Sequence, residues 1–458
     1  MKNRKLMQTG ALAVALSLLA SSVTAAVSPQ EAELLGTKLT PIGAQKEGNA
    51  EGSIPAWTGG LPKSAGQVDA GGFLSDPFAA EKPLFVITAA NAEQYKDKLS
   101  VGQLAMLKRY PDSYRIPVYP THRSAAVPQQ IAALAKQSAL KTQSINDGNG
   151  LAEFSSTGYY AFPIPKNGVE VVWNHVTRYL GGSFKRSYIQ ATPQENGGFT
   201  PVRFEEEQVF PPQISGLPKD EADNLLYYYK QWVTAPARLA GTVAVVHETI
   251  DQVKEPRLAW VYNAGQRRVR RAPQLAYDGP GTASDGLRTS DDLDMFNGAP
   301  DRYDWKLVGK KEMYIPYNSY RLESPQLKYD DIVKAGHINQ DHTRYELHRV
   351  WEVVATLKPG ARHLYSQRHF YLDEDTWQIV EEDRYDGRGQ LWRVGEGHIL
   401  YRYDQQASYA AAETLYDLQS GRYMVVGLRN EEPRNTQYGF TAKAFDYTPA
   451  ALRNDGLR

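Results

Sequence analysis

The sequence predicts an α+β protein: one large, highly curved antiparallel β-sheet carrying most of residues 240–430, preceded by a helical and irregular extension over residues 26–150. Three observations predict it. From Ala240 onward the hydrophobic period changes from that of a helix to two. Short strand-like runs then recur, divided by hairpin chemistry such as Asp373-Glu374-Asp375 and Asp386-Gly387-Arg388-Gly389. Before them, residues 41–83 are rich in Gly, Pro and Ala and carry no period at all.

Taken in order, residues 1–25 read as a cleavable signal peptide. Lys2, Arg4 and Lys5 precede the apolar run GALAVALSLLA (10–20), and Val23-Thr24-Ala25 ends in the small-residue pattern a signal peptidase accepts. The run is well short of the roughly 20 residues that span a bilayer. A periplasmic location follows, with cleavage near Ala25. The chain has no cysteine, which excludes a lipid-modified cysteine, disulfides and thiolate metal sites.

Ser28-Pro29-Gln30-Glu31 is a capping box that opens a short helix. A second helix is expected from Thr88 to Arg109 with a break at Ser100 to Gly102, and a third from Pro128 to Thr142. A fourth is read from Pro218 to Trp232, with Leu225, Leu226 and Tyr229 on one side. Strands follow at 241–250, at 258–272 around an Asn263-Ala264-Gly265 turn, at 364–372, 377–384 and 390–398, and at Tyr423 to Leu428. The strongest runs from Tyr345 to Leu357. Tyr345, Leu347, Trp351, Val353, Ala355 and Leu357 share a face with Arg349 as its one polar member, and Glu346, His348 and Glu352 dominate the other. The expectation is an apolar concave lining of Tyr345, Leu347, Trp351, Val353 and Leu357. Arg349 within it would pair with a neighbouring-strand acid such as Glu381 or Asp383, or await an anionic head group.

The segment from Ala276 to Trp305 fits neither period. Loops of that length are often lids. Met295, Phe296 and Trp305 are apolar enough to dock it over a cavity mouth, with Asp285, Arg288 and Arg302 as polar groups at the entrance.

Catalytic patterns mostly fail. There is no G-x-S-x-G, H-E-x-x-H or phosphate-binding loop, and nothing calls for a cofactor or a metal. Asp285, Asp291, Asp292, Asp294, Asp301 and Asp304 crowd the loop beside Arg288 and Arg302, from which a paired-carboxylate hydrolase could be built. His348, His363 and His369 could meet on the sheet, but read first as surface residues. Loss of the leader takes the 52 basic residues to 49 against 52 acids, a net charge of about −3, with no electrostatic footprint for nucleic acid. The 29 tyrosines suit either half-wet cavities or strands.

Several stretches resemble the bacterial domain-of-unknown-function family 1329, whose members are often labelled outer-membrane lipoprotein-sorting proteins. They are EAELLGTKLTPIGAQKEGNAEGSIPAWTGG (31–60), PIPKNGVEVVWNHVTRYLGG (163–182), VHETIDQVKEPRLAWVYNAGQRRVRRAP (246–273), SDGLRTSDDLDMFNGAPDRYDWKLVGKKE (284–312) and YDGRGQLWRV (385–394). The resemblance implies a lipoprotein-carrier-like half-barrel, spanning residues 151–458, wrapped over helices on its concave side. It also implies a periplasmic, non-enzymatic carrier of a lipid, lipoprotein acyl chain or other hydrophobic molecule. The implied partners are an outer-membrane barrel protein and an inner-membrane exporter. An envelope hydrolase and a solid structural adaptor remain the alternatives.

Overall fold

The structure, a computed structural model, describes residues 26–433 and 436–456, so the leader predicted over residues 1–25 lies outside it. Its centre is an open sheet of sixteen strands assembled from two meanders. The first in the chain runs through Phe184–Ala191, Val202–Val209, Leu225–Ala235, Val243–Thr249, Leu258–Asn263 and Arg268–Arg271. The second runs through Tyr345–Leu357, Gln367–Asp373, Ile379–Tyr385, Leu391–Arg402, Ala407–Asp417 and Tyr423–Leu428. They join edge to edge where Tyr423–Leu428 pairs with Phe184–Ala191, Val425 opposite Ala191 and Leu428 opposite Ile189. Phe85–Ile87 and Ile116–Val118 extend one end, Tyr303–Pro316 pairs with Tyr345–Leu357, and Gln437–Tyr438 with Phe184–Ala191. The ladders are antiparallel apart from the Tyr345–Val118 bridge. Register shifts such as Leu307/Gly309, Tyr371/Leu372 and Val426/Leu428 interrupt them. Bulges of this kind bend a strand and deepen its twist, which a sheet this wide needs.

Local chemistry places the helices. Ser28 with Glu31 and Ser100 with Gln103 form capping boxes that start Pro29–Ala32 and Val101–Arg109. Gln129–Lys141 begins after Pro128, as expected. The helix Gly168–Val176 went unread in the sequence; Asn167 caps it by accepting from the Glu170 N–H. It lies so close to the sheet that a Cβ on Gly168 would stand 3.0 Å from both the Val353 Cγ1 and the Lys306 backbone carbon.

Two expectations are corrected. The helix read over 218–232 is one turn, Lys219–Ala222, followed by the strand Leu225–Ala235. That strand is paired on both sides and nearly continuously buried, with tyrosines on both faces and Lys230 and Gln231 buried among them, so the period-two signal disappears. The second correction concerns Tyr345–Leu357, where burial is two-sided. Glu346 and His348 are buried as fully as Tyr345, while Trp351 and Leu357 are only half-buried. Glu346 can be buried because it accepts hydrogen bonds from the His122 N–H, Asn318 and Arg344. A charged side chain reads as a surface residue until its partners are known.

Candidate functional site

The long loop is pinned to the sheet by charge. Arg368 and Arg384, neighbours across the Gln367–Asp373 and Ile379–Tyr385 ladder, have no solvent exposure. Arg368 binds Asp291 at 2.9 Å, Asp292 at 2.6 Å and Glu382 at 2.6 Å, and Arg384 binds Glu382 at 2.6 Å. His363 adds a 3.0 Å contact to Asp291. Burial alone would raise the Asp291 carboxyl, but Arg368 and His363 overcome it and hold the group well below the usual carboxylate range. Met295, fully buried, packs beneath Gly395 and Gly397, where a Cβ would stand 3.2 and 3.6 Å from it. Phe296 meets Trp305 and Phe370 edge-on.

So anchored, the loop roofs a cavity at the junction of the two meanders. The space between its walls is about 950 Å³, counting the part open to solvent. Phe184, Arg186 and Tyr188 come from one meander and Tyr409, Glu413 and Val426 from the other. Arg288, Leu293, Asp294, Phe296 and Asn297 come from the loop, and Val176 and Arg178 from the end of the Gly168–Val176 helix. A second chamber of about 580 Å³ adjoins it, also lined by Ala244, Val246 and Leu275; Tyr227, Tyr229, Arg288, Leu293 and Asn297 belong to both. Strand alternation explains the tyrosines: Tyr227, Tyr229 and Gln231 face the cavities while Tyr228 stacks on Tyr447 behind them. Asn297 donates to the Tyr227 hydroxyl at 2.6 Å, and Arg257 donates to the Asn297 carbonyl at 2.7 Å, stitching the roof to the wall.

Most charges on this wall are matched. Arg178 meets Asp294 and Arg186 meets Glu206, each at 2.5 Å. His175 donates to the Asp294 carbonyl and accepts from the Ile379 N–H; burial, with Arg178 beside it, lowers it to about 4, so it is neutral at physiological pH. Glu413 is raised to about 7 by burial and by Asp294, against the pull of Arg288 and Arg186.

The predicted residues are distributed unevenly over this geometry. Arg288 and Phe296 line the cavity, and Met295 and Trp305 pack beside its roof. Arg302 lies apart, paired with Asp278 and stacked on Tyr277, and Asp285 meets Arg422 at a half-exposed position. Tyr345, Leu347, Arg349, Trp351, Val353 and Leu357 line neither chamber. Tyr345 and Leu347 pack with the Val101–Arg109 helix; Trp351, Val353 and Leu357 pack around Trp377 and Phe370. Arg349 is ion-paired, but with Glu374 at 2.6 Å instead of Glu381 or Asp383, and it also donates to the Gln45 and Glu47 carbonyls. The partner differs because Glu374 sits on the turn that the N-terminal segment crosses, which no strand pattern reveals. The loop acids are engaged as well: Asp301 accepts from Tyr277, while Asp304 is exposed. His348, Asp373 and Asp375 converge closely enough to hold an ion, yet Asp375 is already clasped by Arg123 at 2.6 Å.

The cavity-lining strands Phe184–Ala191 and Ala407–Asp417 were missed in the sequence. Phe184, Arg186, Tyr188 and Gln190 do alternate, but a charge in the second place disguises the face.

The family model described as "Protein of unknown function (DUF1329)" matches residues 86–453. The chain is 62% identical over 459 residues to Uncharacterized protein PA3922 of Pseudomonas aeruginosa, with all of both chains covered. Among solved structures it is similar to a Vibrio parahaemolyticus domain named for outer membrane lipoprotein sorting, with a TM-score of 0.43 and 11% identity over 62% of this chain and 98% of that one. It is also similar to a DUF1329 family protein from Desulfovibrio piger, with a TM-score of 0.40 and 16% identity over 59% and 91%. Among the described residues no helix is long and apolar enough to cross a membrane.

Proposed function

The chain belongs to the DUF1329 family, and from that premise we propose that it is a periplasmic carrier that shelters a lipid, an acyl chain or another hydrophobic molecule between inner- and outer-membrane components. The observation that supports this reading is the roofed cavity at the meander junction, walled by aromatic rings and reached under a loop. Each methylene transferred from water to such a space contributes about 0.8 kcal/mol, so a chain binds without any reactive group. The carrier is favoured over a hydrolase because Asp291, Asp292 and Asp294 are held as ion-pair anchors. It is favoured over a solid adaptor because the junction is not filled. The working partners in this reading are an outer-membrane barrel protein and an inner-membrane exporter.

Filling the cavity tests it. Ala410→Phe, and separately Ala244→Phe, place a ring in the first and second chamber. Both are expected to cut binding of a neutral fluorescent naphthylamine by tenfold or more while melting stays within a few degrees. Unchanged binding in folded variants, or no binding by the parent, would sink the carrier reading. The leader makes a separate prediction. N-terminal sequencing of the periplasmic protein should begin within two residues of Ala26, and recovery of Met1 in the membrane fraction would overturn the location.

A further inference from the structure

The charges around the cavity do not cancel pairwise. With Arg178 on Asp294 and Arg186 on Glu206, Arg288 and Glu413 remain, and no ion-pair contact among the described residues joins them. Arg288 is 5% exposed and lines both chambers. Its Nε and Nη1 have no hydrogen-bond acceptor, and no carboxylate among the described residues forms an ion pair with it. Glu413 is the acid that faces the same space, and one of its oxygens already accepts from the Met295 N–H at 3.2 Å. A buried guanidinium without a partner costs several kcal/mol, and such groups persist where something compensates them. Arg288 stands on the roof, a few residues from the anchor at Asp291 and Asp292.

We propose that Arg288 is the head-group anchor of this cavity, and that the molecule carried is a single-chain acidic amphiphile whose carboxylate or phosphate sits on the Arg288 guanidinium. The apolar part of that ligand lies among the rings of Phe184, Tyr188, Phe296 and Tyr409. This rests on the carrier reading and narrows it. The planar fork of a guanidinium offers paired N–H donors in the geometry that carboxylate and phosphate oxygens accept, which a lysine would not reproduce. Its position between the chambers fixes the polar end of the ligand midway, so one chain is directed into the larger space.

The test compares ligands matched in chain length. Myristate, dodecyl phosphate and the uncharged 1-tetradecanol compete with the neutral naphthylamine on the parent protein, on Arg288→Met and on Arg288→Gln. The parent is expected to take myristate or dodecyl phosphate at least tenfold more tightly than tetradecanol. Either folded variant should lose that preference while keeping its affinity for tetradecanol and the naphthylamine within about twofold. Equal affinity of the parent for acid and alcohol overturns the anchor, as does a preference that survives in a folded variant. Acetate and inorganic phosphate form a further arm: if they displace the acidic amphiphiles at comparable concentration, the site serves a free anion and the proposal fails. Absence of binding by the naphthylamine and by every amphiphile is a different result, because it removes the carrier reading itself.

Discussion

Arg368→Met is expected to destabilise the protein by about 3–5 kcal/mol, the usual cost of leaving a buried ion network without one of its charges. The side chain has no solvent exposure and holds Asp291, Asp292 and Glu382 at 2.6–2.9 Å. Its guanidinium also lies over the rings of Phe296 and Phe370. Methionine retains much of the apolar volume, so the loss is electrostatic: Asp292 and Glu382 would be left with Arg384, and Asp291 with His363. Because two of them belong to the long loop, the same substitution should loosen the roof of the cavity and speed exchange of a bound probe. Urea denaturation and stopped-flow release measure the two effects. His363→Gln is the milder comparison, since it removes a single contact with Asp291, and about 1 kcal/mol is expected. A loss below about 1 kcal/mol for Arg368→Met would mean that the loop is held by its apolar residues and that the network is incidental.

Replacing Glu381 by Gln should stabilise the protein increasingly as the pH rises. Glu381, Asp383 and Glu396 are fully buried close together, and none of them forms an arginine or lysine ion pair among the described residues. Burial, with Glu396 and Asp383 beside it, pushes the Glu381 carboxyl well above the usual range; burial raises Asp383 to about 7. Glu381 accepts from Gln103 at 2.8 Å, and Glu396 accepts from the hydroxyls of Tyr114 and Tyr345 at 2.8 and 2.7 Å. Between the unfolded value near 4.5 and its raised folded value, native Glu381 keeps a proton that the unfolded chain has released. Stability therefore falls as pH rises across that window, by about 1.4 kcal/mol per unit for each retained proton. Glu381→Gln removes one such proton, so its advantage over the parent should widen from pH 5 to pH 8. The difference between the two proteins cancels the buried histidines, which act in the opposite sense. Asp383→Asn should gain in the same direction and level off near pH 7. Parallel pH profiles for parent and variants would show that these carboxyls are not held protonated.

Individual hairpins were legible because their information is local. A turn such as Asp386-Gly387-Arg388-Gly389 needs only its own residues, with Gly389 at φ +74°, and the period-two runs on either side set the register. The capping box at Ser28 was legible for the same reason, whereas Ser100, read as a break within one helix, is the cap that starts Val101–Arg109. Where both faces of a strand are buried, as in Leu225–Ala235, the local signal is erased and helix and strand look alike. Glu205-Glu206-Glu207 is the extreme case. It reads as solvent-facing charge, yet Glu206 is buried against Arg186 and Tyr229, and Glu207 against Tyr447.

Arg288 and Phe296, which line the junction cavity, were legible as an unusual composition inside an aperiodic segment, whereas the residues expected as a lining, on Tyr345–Leu357, line neither chamber. Tyr345–Leu357 has the most regular alternation in the chain, yet both its faces are packed, Tyr345 and Leu347 with Met106 and Leu107 and Val350 with Met313, Tyr371 and Ile399. Regular burial marks a solid region. A cavity forms where packing is incomplete, and the junction of the two meanders, where Tyr188 of one and Val426 of the other line open space, is such a place. The sequence by itself determined the α+β class, the hairpins of the second meander, the helix starts at Pro29 and after Pro128, and the apolar loop. Only the tertiary structure decided where the two meanders meet and which charges are left unpaired there. That pairing joins residues more than 200 positions apart, and its energy depends on side chains brought together only after each meander has formed.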